Sequence, residues 1–166
     1  ALGATASDSV VFEVVYGDKD NDGFIDVALG GDDCDDFDEA VNPSVDEVCN
    51  GIDDDCDGVA DEGDASDAST WYRDSDSDSY GDFYVSQNAC SKPAGYVLDS
   101  TDCDDSDVAA FPGATEYCDG HDDDCDGQID EDDALDVSTW FADVDSDGYG
   151  NPGVVQESCY QPTGFV

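Results

Sequence analysis

Five stretches of the chain place aspartate at alternate positions: Asp18, Asp20 and Asp22; Asp53, Asp55 and Asp57; Asp74, Asp76 and Asp78; Asp122, Asp124 and Asp126; and Asp143, Asp145 and Asp147. Glycine follows four of them, at Gly23, Gly58, Gly127 and Gly148, and Ser79 takes that place in the other. Alternating short carboxylates in a tight loop converge on one point, and glycine permits the sharp turn. The chemistry open to such loops is capture of a hard cation by oxygen.

The candidate ligands run on beyond each loop. Asp26, Asp61, Asp82, Asp130 and Asn151 hold the ninth position, and Asp64 and Asp133 the twelfth, where the first loop has Leu29. Two "DCDD" segments offer Asp33, Asp35 and Asp36, and Asp102, Asp104 and Asp105. This is the front half of a calcium loop of the EF-hand type, but no amphipathic helix flanks it, which excludes an EF-hand domain. Oxygen donors at irregular spacing suit Ca²⁺ better than Mg²⁺ or a transition metal. The expected cofactor is therefore several Ca²⁺ ions, some bridged by shared carboxylates, standing in rows where an apolar core would otherwise be. Folding is then coupled to metal.

Composition makes such glue necessary. Against 46 acidic residues the 166-residue chain has 3 basic ones, a formal charge of -43, and all but seven of the acids are Asp. Charge of this size opposes compaction, and neighbouring carboxylates lie within the roughly 8 Å over which physiological salt screens them. It makes nucleic acid and anionic lipid poor partners. Eight cysteines point to an oxidising compartment, outside the cell or at its surface. With no Met in the sequence, a processed chain is expected. One histidine, His121, leaves no triad to build, and the paired carboxylates read as ligands, so no enzyme is expected.

The elements that must position these groups repeat. Cys34, Cys49, Cys56 and Cys90 recur 69 positions on as Cys103, Cys118, Cys125 and Cys159, and Trp71 recurs as Trp140. The organisation expected is a lead-in and apolar strand over 1–17, a partial first module over 18–70, a complete one over 71–139 and a partial third over 140–166. The fold class expected is loop-rich: short β-strands and hairpins, little helix, tandem repeats held by calcium and disulfides in an elongated array. Tyr84–Gln87 should face Tyr96–Leu98 across "SKPAG". Trp71, Tyr80, Phe111, Trp140 and Tyr149 should form small clusters between the ions.

"DCDD…FPGATEYCDGHDDDCDGQIDE" (102–131), with the preceding "WYRDSDSDSYGD…C…PAGYV", resembles the MopE-type metal-binding repeat of secreted microbial proteins. The alternating Asp loops are also similar to thrombospondin type 3 repeats. The resemblance implies an extracellular calcium-wrapped module with little regular secondary structure, and no enzyme. The copper in the family's label is not carried over, because copper wants His, Met or free thiolate.

Cysteine spacing favours local Cys49–Cys56 and Cys118–Cys125 bridges. Cys90 then pairs forward with Cys103, leaving Cys34 and Cys159 to join between subunits, or backward as Cys34–Cys90 and Cys103–Cys159 within one chain. "SVVFEVVYG" (9–17) is a strand apolar on both faces. It packs within its own subunit or adds beside the end of another copy, an interface of Val11, Phe12, Val14, Val15, Tyr16, Phe165 and Val166. A head-to-tail contact of that kind builds a filament. The function expected is a secreted calcium-binding structural subunit of an extracellular filament. The alternatives are a stalk or spacer of a surface adhesin, and a calcium buffer or matrix protein.

Overall fold

The computed structural model describes residues 16–166, so Val11, Phe12, Val14 and Val15 of the expected interface lie outside the described residues. The chain divides into two compact units, Ala1–Ala68 and Ser69–Val166. Turns dominate both. Asp and Asn side chains bond the backbone N–H two residues on, as Asp33 does to Asp35, Asp38 to Ala40 and Asn42 to Ser44. Each such bond competes with helix or sheet, which explains why an Asp-rich chain folds as a succession of turns. The helix among the described residues is one 3₁₀ turn, Val27–Leu29, capped by the Asp26 side chain at the Ala28 N–H.

The second unit carries the strands β1 (Ser69–Arg73), β2 (Asp82–Ala89), β3 (Tyr96–Val97), β4 (Ser138–Ala142) and β5 (Asn151–Ser158). β1 and β2 recur as β4 and β5 at the 69-residue offset. Trp71 faces Gln87 and Trp140 faces Gln156, and each indole N–H bonds a carbonyl at the far end of the hairpin, Ala89 or Ser158. Both hairpins shift register at one place, Tyr72/Arg73 and Phe141/Ala142. Glycine is needed opposite: a Cβ on Gly150 would stand 2.2 Å from that of Phe141.

The strand order is β2-β1-β3, so Tyr84–Gln87 faces β1 and not Tyr96–Leu98. β1 holds the half-buried Trp71 and Tyr72, whereas Tyr84 is 90% exposed, and the strand with more apolar surface to cover takes the centre. Val166 exchanges two backbone bonds with Phe141. Phe165 and Val166 therefore pair within their own chain, and the expected open end at these residues is corrected.

The disulfides differ from the expected set. Cys34 joins Cys56, Cys103 joins Cys125, and Cys118 joins Cys159. Cys49 and Cys90 are also disulfide-bonded. Cys49–Cys56, Cys118–Cys125, Cys90–Cys103 and the intersubunit Cys34–Cys159 are thus corrected, as are Cys34–Cys90 and Cys103–Cys159. Closing 22 residues instead of 7 costs only about 1 kcal/mol more. Local geometry outweighs that: Cys56 and Cys125 sit in left-handed backbone (φ 59° and 56°), and the Cys34 and Cys103 N–H groups lie 3.1 and 3.3 Å from their sulfurs.

Little apolar material is inside. The buried apolar side chains among the described residues are Val41, Ala65, Val97, Ala110, Ala134 and Ala142, while Asp33, Asp36, Glu47, Asp54, Glu116, Asp123 and Asp130 are buried too. Of the expected aromatic clusters, Tyr80 stacks on Phe111 at 5.5 Å, but Tyr149 is 81% exposed.

Candidate metal centre

All five alternating loops share one backbone. Their fourth residues (Asn21, Cys56, Ser77, Cys125, Ser146) and sixth residues (Gly23, Gly58, Ser79, Gly127, Gly148) have positive φ. Ser79 adopts φ 88° where the others have glycine. In each loop the fifth-position Asp accepts from the N–H two residues on, at Phe24, Val59, Tyr80, Gln128 and Tyr149. One oxygen of each such Asp is spent on the turn; the other is buried without a partner in Asp22 and Asp78, and in Asp126 it accepts from the Gln128 side-chain amide.

Two loops close against "DCDD". In the first unit Asp18, Asp20 and Asp22 bring carboxylate oxygens within 4.8 Å of one another, and Asp20 does the same with Asp33 and Asp36. Asp74, Asp76 and Asp78 form the matching group in the second unit. The parallel bridges Asp26↔Asp33 and Asp82↔Asp102 bring the segment to the loop. The oxygens that matter are those without a partner. Oδ2 of Asp20, Asp22 and Asp33, and Oδ2 of Asp76, Asp78 and Asp102, are buried with no hydrogen bond. Leaving a charged oxygen dry and unpaired is costly, so several aimed at one point fit a cation.

A second kind of centre is built around glutamate. Glu47 Oε2 accepts from the N–H of Asp54 and Asp55, and Oε1 from Asp61. Glu116 repeats this with Asp123, Asp124 and Asp130. These buried carboxylates shape the loop from inside. Glu47, Asp53 and Asp55 bring oxygens within 4.8 Å of one another. Asp53 Oδ1 and Glu131 Oε1 are buried without a partner.

The family model Cu-binding MopE, described as a putative metal-binding motif, matches residues 33–62 and 102–131. The two matched segments stand 69 residues apart and together cover less than half of the chain. Each matched segment begins at an aspartate with a buried oxygen that lacks a partner (Asp33, Asp102) and ends at a glutamate (Glu62, Glu131). No curated protein and no solved structure matches the chain.

The glutamates of the motif were not among the sequence candidates, yet a signal existed. Four of the chain's seven Glu form two pairs at the 69-residue offset, Glu47/Glu116 and Glu62/Glu131. The tenth loop position holds Glu62 and Glu131, and the ninth does other work. Asp61 accepts from the Gly51 N–H, and Asp130 from the Gly120 N–H and the Tyr160 hydroxyl. Asp64 shares a shallow depression with Glu47 and Asp55, and Asp133 is exposed. Asp57, Asp122, Asp124 and Asp126 stay in their loops, where Asp122 accepts from Asp126 and Gly127. Asp26 and Asp82 meet Lys19 and Arg73. Asp35 is exposed, Asp104 is half-buried, and Asp104 accepts from Ser106. In the 143 loop Asp143 closes the turn at Asp147 and Gly148, Asp145 and Asp147 are exposed, and Asn151 caps Gly153. Asp102, Cys103 and Cys125 also lie together, but those cysteines are a disulfide and offer no thiolate. His121 is exposed.

Burial raises the pKa of Asp20, Asp33, Asp76, Glu62 and Glu131, and pushes Asp102 up to about 6. A hydrogen bond from Lys19 lowers Asp36. Asp105 is lowered as well, since Ser75 and Arg73 together outweigh its desolvation. The sign for Asp102 is definite. Between its ordinary value of 3.8 and about 6, the folded chain binds a proton that the unfolded chain does not. Without metal, stability therefore grows as pH falls through 6 and is lost as pH rises through it. With metal, acid competes for the same oxygens, and stability falls with pH. Urea midpoints recorded from pH 6 to 4.5 should rise in chelator and fall in millimolar calcium; parallel trends would contradict this assignment.

Proposed function

We propose that this chain is a secreted, non-enzymatic structural protein in which calcium ions replace a hydrophobic core. The observation that supports it most is the set of buried, unpaired carboxylate oxygens at matching places in the two repeats: Asp20, Asp22 and Asp33, and Asp76, Asp78 and Asp102. Calcium is favoured over copper by the donors: flexible oxygen sets, with every cysteine among the described residues in a disulfide. The same disulfides favour an extracellular setting. Calorimetric titration of the chelator-treated chain tests the choice of ion. Several saturable Ca²⁺ sites are expected, with Mg²⁺ weaker. Tight stoichiometric Cu²⁺ binding that displaces Ca²⁺ would overturn it.

Assembly into a filament is a second reading, favoured by the outer edge of β5. That strand pairs only with β4 among the described residues, and Val154 and Val155 are about half exposed. The apolar 9–17 run of another copy would fit such an edge by strand addition. No intersubunit disulfide supports it, because Cys34 and Cys159 are bonded within the chain. A calcium-dependent rise in light scattering is the expected signature, and a monomer at high calcium would rule it out.

A further inference from the structure

Lys19, Arg73 and Lys92 are the chain's three basic residues. Two of them occupy the same place in successive repeats, yet reach it from different sequence positions. Lys19 Nζ bonds Asp36 and lies 3.3 Å from Asp26. Arg73 Nε lies 2.9 Å from Asp105, and its Nη2 lies 3.8 Å from Asp82. Asp26 and Asp82 are the ninth residues of their loops; Asp36 and Asp105 each end a "DCDD". Lys19 is the second residue of its loop, where the next repeat has Ser75, and Arg73 precedes its loop, where the first repeat has Gly17. Two different side chains thus set a positive charge between the same pair of carboxylates.

The third loop acts as a control within the chain. Ala142 and Val144 stand where Arg73 and Ser75 stand, so the cation is gone, and Asn151 stands in the place of Asp82. The carboxylate disappears together with its counter-charge.

Hydrogen bonding separates these carboxylates from the metal-facing ones. Asp36 accepts from the Lys19 backbone N–H on one oxygen and from its ammonium on the other. Asp105 accepts from the Ser75 N–H on one oxygen and from the Ser75 hydroxyl and Arg73 on the other. Neither has an unpaired buried oxygen, whereas the neighbouring Asp33, fully buried, and Asp102 do. The acids of each unit therefore form two adjoining sets, one empty-handed and one holding an internal cation.

We propose that each loop–"DCDD" unit is a two-cation site in which a metal ion takes one place and the chain's own Lys19 or Arg73 takes the other. This rests on the metal-binding reading above. A single divalent ion among Asp18, Asp20, Asp22, Asp26, Asp33 and Asp36 leaves a large surplus of negative charge at short range. A tethered ammonium or guanidinium cancels part of it without being captured from solution, and holds the unit at one metal. Without the basic side chain, Asp26 and Asp36, or Asp82 and Asp105, are open to a second divalent ion bridged through the shared carboxylate.

The test counts ions on the full, disulfide-intact chain by native mass spectrometry over a calcium titration. Lys19→Gln and Arg73→Gln should each bind one more Ca²⁺ at saturation than the parent, and the charge-retaining Arg73→Lys should bind the parental number. An unchanged or lower count in both Gln variants would overturn the proposal and reduce Lys19 and Arg73 to latches between loop and segment. The two variants lie in separate units, so misfolding of one leaves the other to decide. A parent chain that binds no calcium would overturn the metal-binding reading itself, and that result is visible in the unsubstituted arm alone.

Discussion

Stripped of divalent ions at neutral pH with its disulfides intact, the chain should lose its tertiary structure at room temperature. Six small or medium apolar side chains are buried among the described residues, four of them alanine. That is far too little apolar area to offset about 1–2 kcal/mol of backbone entropy per ordered residue. The interior holds carboxylates instead, and without counter-ions they repel. A site filled at a hundred times its Kd adds about 2.7 kcal/mol. About four such sites, two at "DCDD" and two at the glutamate centres, would together match the 5–15 kcal/mol of an ordinary domain. Near-UV circular dichroism of Trp71 and Trp140 and amide dispersion should collapse in chelator and return with calcium. A chelated chain that keeps its native spectrum and its resistance to heat would remove ions as the source of cohesion.

The parts of this architecture legible in sequence were those set by local chemistry. Alternating Asp with a left-handed sixth residue defines each loop, and no neighbour is needed to see it. The 69-residue period exposed β4 and β5 as copies of β1 and β2. What stayed hidden was set by encounters across the chain. The cysteine partners follow from where the fourth loop residue aims its side chain, which spacing does not report. Glu47 and Glu116 act through backbone N–H groups up to 14 residues away. The EF-hand template put ligands at the ninth position, but there Asp61 and Asp130 have positive φ and turn to cap Gly51 and Gly120. β3 was placed on the wrong strand because a turn sequence says that the chain reverses, and not which edge it returns to.

Asp33→Asn should move the metal-free and metal-loaded chains in opposite directions. Asp33 is 0% exposed, its Oδ1 accepts from the Asp35 N–H at 2.9 Å, and its Oδ2 has no partner. Asn keeps the shape and the first of these bonds. Its amide turns a donor toward Asp20 and Asp36, whose oxygens lie within 4.8 Å, and the buried charge is gone. In chelator the variant should therefore keep tertiary structure to higher pH than the parent, because burial raises the Asp33 pKa and the parent must ionise a dry carboxylate as pH climbs. In calcium the balance reverses. Residues that merely orient a ligand are worth 10–100-fold in metal affinity, so loss of a charged ligand should cost the first unit's site on the order of a hundredfold or more. Asp102→Asn should act in the same sense in the second unit, where burial pushes the carboxyl up to about 6. Near-UV spectra against pH in chelator, beside a calcium titration, report both signs. A variant less stable under both conditions would mean that Asp33 serves the turn alone, and a variant unchanged in calcium would take it out of the ligand set.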